Sequence, residues 1–303
     1  MTGKSPALPL THLALAIAVA AVWGSNFAVI KIALAHLPPL LFATLRFTLA
    51  FLPAAFVLRR PAVAWSHLAA YGVLIGAGQF GILYIAMEKS ISPGMASLVI
   101  QTQVFFTIGL SMWFSSERLR PFQWLALALA AAGLLLIALR GGNSATLPGL
   151  ALVLVAAFCW GSGNVIARAD APMQMLSYVV WASLFSFPPL LVLSLIFEGW
   201  PAIRTGLVES DWLTWGAVLY QSVGNTLFGY ASWGWLLARH PAATISPIAL
   251  LVPVFGLATS ALLLGEPLPA WKLAATALVM GGLALNLAWP RLQHLMVGKA
   301  RQV

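Results

Sequence analysis

The side chains able to do chemistry in this sequence are sparse and lie inside long apolar stretches, so the chemistry open to them is recognition more than bond-making. Gln221 and Asn225 are four residues apart and share a helical face, with Tyr220 adjacent and Ser232 two turns further. Ser97 and Gln101 repeat that spacing in another stretch, where Gln103, Thr107 and Ser111 form a second stripe. Gln79 and Tyr84 occupy a third stretch, and Trp160 and Asn164, one turn apart, a fourth. Amides and hydroxyls in apolar surroundings are costly unless they meet protein, water or a bound solute. An interhelical hydrogen bond would explain any one of them. Together they favour a wet centre. Trp160, Trp181 and Trp233 also lie deep, where an aromatic wall can hold a planar ring or an organic cation by stacking and cation–π attraction. Trp160 is the foremost candidate, and a packing role beside the following glycine competes for both Trp23 and Trp160.

Catalytic constellations are missing. The chain has no His-Glu-x-x-His, no paired aspartates within an apolar run and no Walker A loop, and His12, His36, His67, His240 and His294 fall at the ends of apolar stretches. Neither an enzyme nor a metal or cofactor is expected. The one cysteine, Cys159, sits in an apolar run and offers neither a disulfide framework nor a thiolate site.

The elements that position these residues must be membrane helices. Of 303 residues 61% are hydrophobic and 8% charged, too few charges to clothe a soluble globule. The net charge of +9 comes without a long basic run, so it speaks for topology and against nucleic acid. A hydrocarbon core of about 30 Å needs roughly 20 helical residues. Ten stretches qualify, near 11–31, 38–58, 64–87, 91–114, 121–140, 147–168, 172–197, 212–237, 241–264 and 269–289. Pro38-Pro39, Ser92-Pro93, Gly141-Gly142-Asn143, Pro172, Pro201 and Pro267 punctuate the loops, the longest being 198–211. Apolar residues continue past Ala16–Ala21, so the first span is read as uncleaved. Lys31, Lys89, Arg140, Arg204 and Lys272 fall on one side; all other Lys and Arg except Arg46, which lies within the second span, fall on the other, with both termini. The positive-inside rule makes the richer side cytoplasmic. Trp65, Trp113, Trp124, Trp212, Trp271 and Trp289, near span ends, suit an interfacial belt.

A repeat runs through the chain. Trp23-Gly24-Ser25-Asn26-Phe27 recurs as Trp160-Gly161-Ser162-Gly163-Asn164, and eight residues after each Trp comes a cation, Lys31 or Arg168. A second block, at an offset of 149, pairs Ser97 with Ser246, Phe106 with Phe255, Ser111 with Ser260, Glu117 with Glu266 and Gly133 with Gly282. It also pairs Ala128 and Ala132 with Ala277 and Gly281, a small-xxx-small face. Five spans per half would insert the second half upside down, and inverted repeats are a signature of carriers working by alternating access. A channel-like pore is the rival from another class. Pro93, Pro241, Pro247 and Pro253 interrupt two equivalent spans and are hinge candidates, with a static kink as the alternative. Glu88, Glu117, Asp170 and Glu266 all sit at span ends, and an arginine does not release its proton, which argues for facilitated diffusion or exchange over proton coupling.

The paired Trp-Gly-Ser motifs, the short-looped spans, and Gly-Glu-Pro-Leu at 265–268 with Ser-Glu-Arg-Leu at 116–119 resemble the drug/metabolite transporter superfamily. Within it the chain is similar to the EamA type, most of all to YddG-like exporters of aromatic amino acids and methyl viologen. The resemblance covers about 12–289 and implies an all-α basket, with spans 1, 3, 4, 6, 8 and 9 around a central cavity and spans 2, 5, 7 and 10 outside. Residues 1–140 and 147–289 would be the two EamA repeats and 290–303 a cytoplasmic tail. It implies a monomeric exporter in the bacterial inner membrane, whose substrates are amino acids and planar cations and whose only other partner is the bilayer. The candidate substrate contacts, read from the polar and aromatic residues within the spans, are Trp23, Asn26, Gln79, Tyr84, Gln101, Trp160, Asn164, Tyr220, Gln221, Asn225 and Trp233. Asn26 faces Gly163, and Arg46 faces Ser183, across the repeat, so a strictly symmetric site is not expected.

Overall fold

Backbone groups in hydrocarbon have no water to bond, so an apolar chain satisfies them internally as helix. The computed structural model describes residues 8–115, 121–170 and 174–300, leaving out the side chains of 114–115, 242–243 and 288–300. Glu117, Arg118 and Arg120 of the 116–119 motif and its flank, together with Lys4, Pro172 and Arg301, lie outside the described residues. So do the side chains of Trp289, Arg291, His294 and Lys299.

Among the described residues the fold is all-α, with one isolated bridge between Ile91 and Ala145. The helical segments are α1 (Leu10–Ala33), α2 (Pro39–Ala55), α3 (Trp65–Lys89), α4 (93–115), α5 (Pro121–Arg140), α6 (Leu147–Asp170), α7 (Met175–Glu209), α8 (212–239), α9 (242–264) and α10 (Ala270–Ala300). Eight of them are long and apolar enough to cross a membrane. The two that fall short are α2, which is shorter, and α8, whose middle carries Gln221, Ser222, Asn225 and Thr226.

Acidic side chains satisfy helix N-termini, where free N–H groups and the helix dipole favour an anion. Glu198 accepts from the backbone N–H groups of Leu40 (2.5 Å) and Leu41 (3.0 Å) at the start of α2. Glu266 accepts from Gly94 N–H (3.0 Å), from the Ser92 hydroxyl, and from Lys272 Nζ (2.8 Å) at the start of α4. Pro39 and Pro93 each stand at the first helical position, where no N–H is needed.

Two expectations are corrected. The stretch 198–211, expected as the longest loop, is mostly helix: Gly199 (φ +77°) re-aims the chain out of the membrane-depth part of α7, and Gly199–Glu209 continues helical with Pro201 in its first turn. Ile203 and Gly206 are its buried face, and Gly206 meets His36 and Pro38 between α1 and α2. The face of Ala128, Ala132, Ala277 and Gly281 points outward. The contact between α5 and α10 lies a helical step away, on Ala126, Ala130 and Gly133 against Ala275, Val279 and Gly282. Small residues are placed where two backbones approach, and only the structure shows which stripe that is. A Cβ on Gly133 would fall 2.6 Å from Val279 Cγ2, and one on Gly282 would fall 2.5 Å from the Ala126 carbonyl oxygen.

The same reciprocity governs the inner helices, where α1 packs on α9 and α6 on α4. Gly24 admits Phe255, whose Cβ would be 2.5 Å from an added Cβ; Gly161 admits Phe106, at 2.9 Å. The residues that the sequence pairs across its halves therefore make matching contacts.

Gly133→Leu and Gly282→Leu should each wedge α5 from α10, at a cost of about 1–3 kcal/mol, and lower the melting temperature in detergent by several degrees. Ala132→Leu, on the outward face, should leave it unchanged. Equal losses for all three would mean the wrong stripe has been identified.

Candidate functional site

The largest polar cluster inside the helices is built around a cation. Arg46, in the middle of α2, is 1% exposed. Its Nη1 donates to the Tyr84 hydroxyl (2.9 Å) and its Nη2 to the Thr226 hydroxyl (3.3 Å), and its Cζ sits 3.6 Å from the centre of the Phe80 ring. The Tyr84 hydroxyl in turn donates to Gln221 Oε1 (3.3 Å). Asn225 Nδ2 donates to the same Gln221 oxygen (3.3 Å) and to Asn26 Oδ1 (2.5 Å). Ser222 donates to the Arg46 backbone carbonyl (3.1 Å). One network thus ties α1, α2, α3 and α8.

Four of the expected site residues, Asn26, Tyr84, Gln221 and Asn225, fall in this network. Gln79 and Gln101 are also buried, at 4% and 7% exposure, and neither makes a side-chain hydrogen bond among the described residues. Their amides remain available to a solute or to water. The others stand apart. Asn164 donates to Gln103 Oε1 (2.8 Å) and Thr107 Oγ1 (3.3 Å), joining α6 to α4. Tyr220 turns the other way and donates to the Val22 carbonyl (3.0 Å) beside Ser25, in the seam between α1 and α8. Trp23 lies between α1 and α8, its Nε1 donating to the Asn225 carbonyl (3.1 Å), with Trp233 and Tyr230 rings centred 5.2 and 5.7 Å away. Trp160 is partly buried against the core.

Arg46, Thr226 and Phe80 are the members that sequence reasoning missed. Arg46 is visible in the sequence as a charge inside a span, itself a functional signal, but the sequence does not show which groups surround it. Its helix, expected on the outside, reaches the centre through the length of this side chain.

Irregular helix surrounds the network. A π-helical stretch interrupts α3 at Leu74–Gly81 and α8 at Tyr220–Phe228, so Gln79, Gln221, Asn225 and Thr226 all sit on widened turns, which recur at functional sites. Tight 3₁₀ turns occupy Ile100–Thr102 in α4 and Ser246–Leu250 in α9, the latter containing Pro247. Pro241 precedes α9, and Pro253 lies one turn beyond Leu250. At the end of α1, Lys31 Nζ donates to the carbonyls of Met87 (3.1 Å) and Glu88 (2.7 Å), fastening α1 to the last turn of α3.

Comparison with known proteins matches the EamA-like transporter family twice along the chain, over residues 10–139 and 147–288. The chain belongs to this family. The EamA protein is 42% identical over 278 residues to a Salmonella typhimurium protein described as a "Probable amino-acid metabolite efflux pump", covering 90% of this chain and 93% of the relative. An Escherichia coli K12 protein of the same description is 40% identical over 280 residues, with the same coverage. A solved crystal structure at 19% identity superposes with a TM-score of 0.63 over 93% of this chain and 98% of its own, which speaks for the fold alone. This transporter is therefore a multi-pass membrane protein whose relatives are named as exporters of small molecules.

Tyr84→Phe removes the hydroxyl that links Arg46 to Gln221 and should slow transport several-fold, as expected for one buried hydrogen bond. Tyr220→Phe, in the seam, should leave the rate near that of the unmodified protein. Equal effects on initial rates at matched protein levels would erase the distinction between network and seam.

Proposed function

We propose that this EamA transporter exports neutral and aromatic amino acids from the bacterial cytoplasm by alternating access of two inverted five-helix halves. The observation that carries the reading is the buried chain of hydrogen-bonding groups, Asn26, Tyr84, Gln221 and Asn225, to which α3 and α4 add the buried, unbonded amides of Gln79 and Gln101. Such a lining suits a zwitterion with a compact polar head. The ring cluster of Trp23, Trp233 and Tyr230 on the same helices supports room for an aromatic side chain. The names of the two relatives support the substrate class.

The inverted halves and the ten spans draw support from the double family match and from the reciprocal contacts of Gly24 with Phe255 and Gly161 with Phe106. In this reading the halves are 1–140 and 147–289, both termini are cytoplasmic, and one chain forms a complete pathway. Pro93, Pro241, Pro247 and Pro253 serve as hinges, because they start or interrupt α4 and α9, where the helix tightens to 3₁₀. Planar cations are weaker candidates, since Arg46 would repel them.

Facilitated diffusion or exchange fits a network without a carboxylate. A second reading, proton coupling, has one observation behind it. Asp170 at the end of α6 has a side chain 7% exposed, accepts from the Tyr178 hydroxyl (2.8 Å) and pairs with His67 Nδ1 (2.5 Å). The Tyr178 ring packs edge-on against Tyr71 of α3, with ring centres 4.9 Å apart, which ties the pair to an inner helix.

Counterflow of labelled phenylalanine and threonine in proteoliposomes, with no ion gradient imposed, separates these readings. Saturable exchange is expected, with methyl viologen exchanging poorly. Flux that arises only when a pH gradient is imposed would establish proton coupling instead, and ohmic single-channel currents would replace the carrier with a pore.

A further inference from the structure

We infer that Arg46 is the receptor for the substrate's carboxylate, so that this carrier selects solutes by a negative headgroup. The inference rests on the amino-acid reading above and names the residue that would enforce it.

The argument begins with an unbalanced charge. A guanidinium stays protonated at any ordinary pH, and burying it without an anion is among the costliest arrangements a protein can hold. The other buried or half-buried cations of the described structure are accounted for. Lys272 is paired with Glu266, and Lys31 lies against two helix-terminal carbonyls. Arg46 has no carboxylate partner among the described residues; it meets two neutral hydroxyls and the rings of Phe80 and, at 5.1 Å, Phe47. Its Nε is fully buried with no hydrogen-bond partner.

The pattern of what is bonded matters as much as the missing charge. Tyr84 takes Nη1, at the end of the guanidinium. The Nε and Nη2 edge, which presents two parallel N–H groups, holds only the long 3.3 Å contact to Thr226. That edge is the one an incoming carboxylate engages with two hydrogen bonds. Along the network both lone pairs of Gln221 Oε1 are taken, by Tyr84 and Asn225, but Asn26 Oδ1 accepts a single hydrogen bond and keeps a lone pair for an ammonium.

In the present state Phe80 and Thr226 cover the guanidinium. Both lie in the π-helical stretches of α3 and α8, where a turn can tighten without breaking the helix. Movement of these stretches would exchange the Thr226 contact for substrate. The site then gains a charge-neutralising partner only when loaded, which couples occupancy to the rearrangement.

The test compares labelled phenylalanine with phenylalaninamide, which has the same ring and amine but no carboxylate, in counterflow through proteoliposomes holding the full chain. The unmodified protein is expected to exchange phenylalanine at least about tenfold faster than the amide, the scale of a lost bidentate ion pair. 3-Phenylpropionate, which keeps the carboxylate alone, should compete with phenylalanine. Arg46→Gln should lower phenylalanine exchange and collapse the preference towards one, with Arg46→Lys retaining part of it. Equal exchange of acid and amide by the unmodified protein overturns the inference, whatever the variants do. A variant that loses both substrates in equal proportion makes Arg46 a structural bridge and likewise overturns it. Exchange of the amide but not the acid reverses the assigned charge preference, and exchange of neither defeats the amino-acid reading and this inference together.

Discussion

Hydrocarbon offers no partner for a polar group, and this one constraint orders the structure from the backbone to the binding site. It makes every segment helical, because helix closes its own hydrogen bonds. It sends carboxylates to helix ends, where Glu198 and Glu266 find free N–H groups at α2 and α4. It also drives the remaining polar side chains towards one another until they form a network held by mutual bonding. Arg46, Tyr84, Gln221, Asn225 and Asn26 are that network, and the ring of Phe80 supplies the last share of the cation's stabilisation.

Without a hydrophobic force between helices in lipid, close packing has to come from shape. The glycines supply it in matched pairs. Gly24 against Phe255 and Gly161 against Phe106 seat the inner helices, and Gly133 and Gly282 seat α5 on α10. An added methyl group would strike backbone or a Cβ at Gly24, Gly161 and Gly282, and the Val279 Cγ2 at Gly133. In the proposed carrier, two halves built on such matching contacts would exchange conformations at similar energy.

Composition and motifs made the class of protein legible, because hydropathy and the Trp-Gly-Ser pairs depend on residue type alone. Faces were legible only where a polar residue marked them. Gln221 and Asn225 were read as one face and are one, whereas Ala128 and Ala132 were chosen among many small residues and the helix packs on Ala126 and Ala130. Gly199 and Pro201 looked like a loop because each breaks regular helix in mid-segment, yet a positive φ followed by a proline in the first turn can also start a new one. The π-helical stretches of α3 and α8 left no mark in the sequence, since they arise from how neighbouring helices fit. Arg46 was the reverse case. It is plainly visible as a charge within the second span, but its partners on α3 and α8 are not.

A binding site that must open and close faces a further requirement: its internal bonds have to be weak enough to trade. A buried salt bridge to Arg46 would hold α2 in place at several kcal/mol and would oppose every transport step. Neutral hydroxyls and aromatic faces hold it less tightly, and under the proposed role a substrate carboxylate would displace the long contact to Thr226. The same logic applies at the end of α1, where Lys31 bonds to the carbonyls of Met87 and Glu88 and not to a carboxylate. Arg46 thus meets only partial negative charges, and Lys31 feels the Glu88 carboxylate without bonding to it. In the proposed reading Arg46 orders α2, α3 and α8 and is free to release them, whereas Lys272, paired with Glu266, fixes the start of α10.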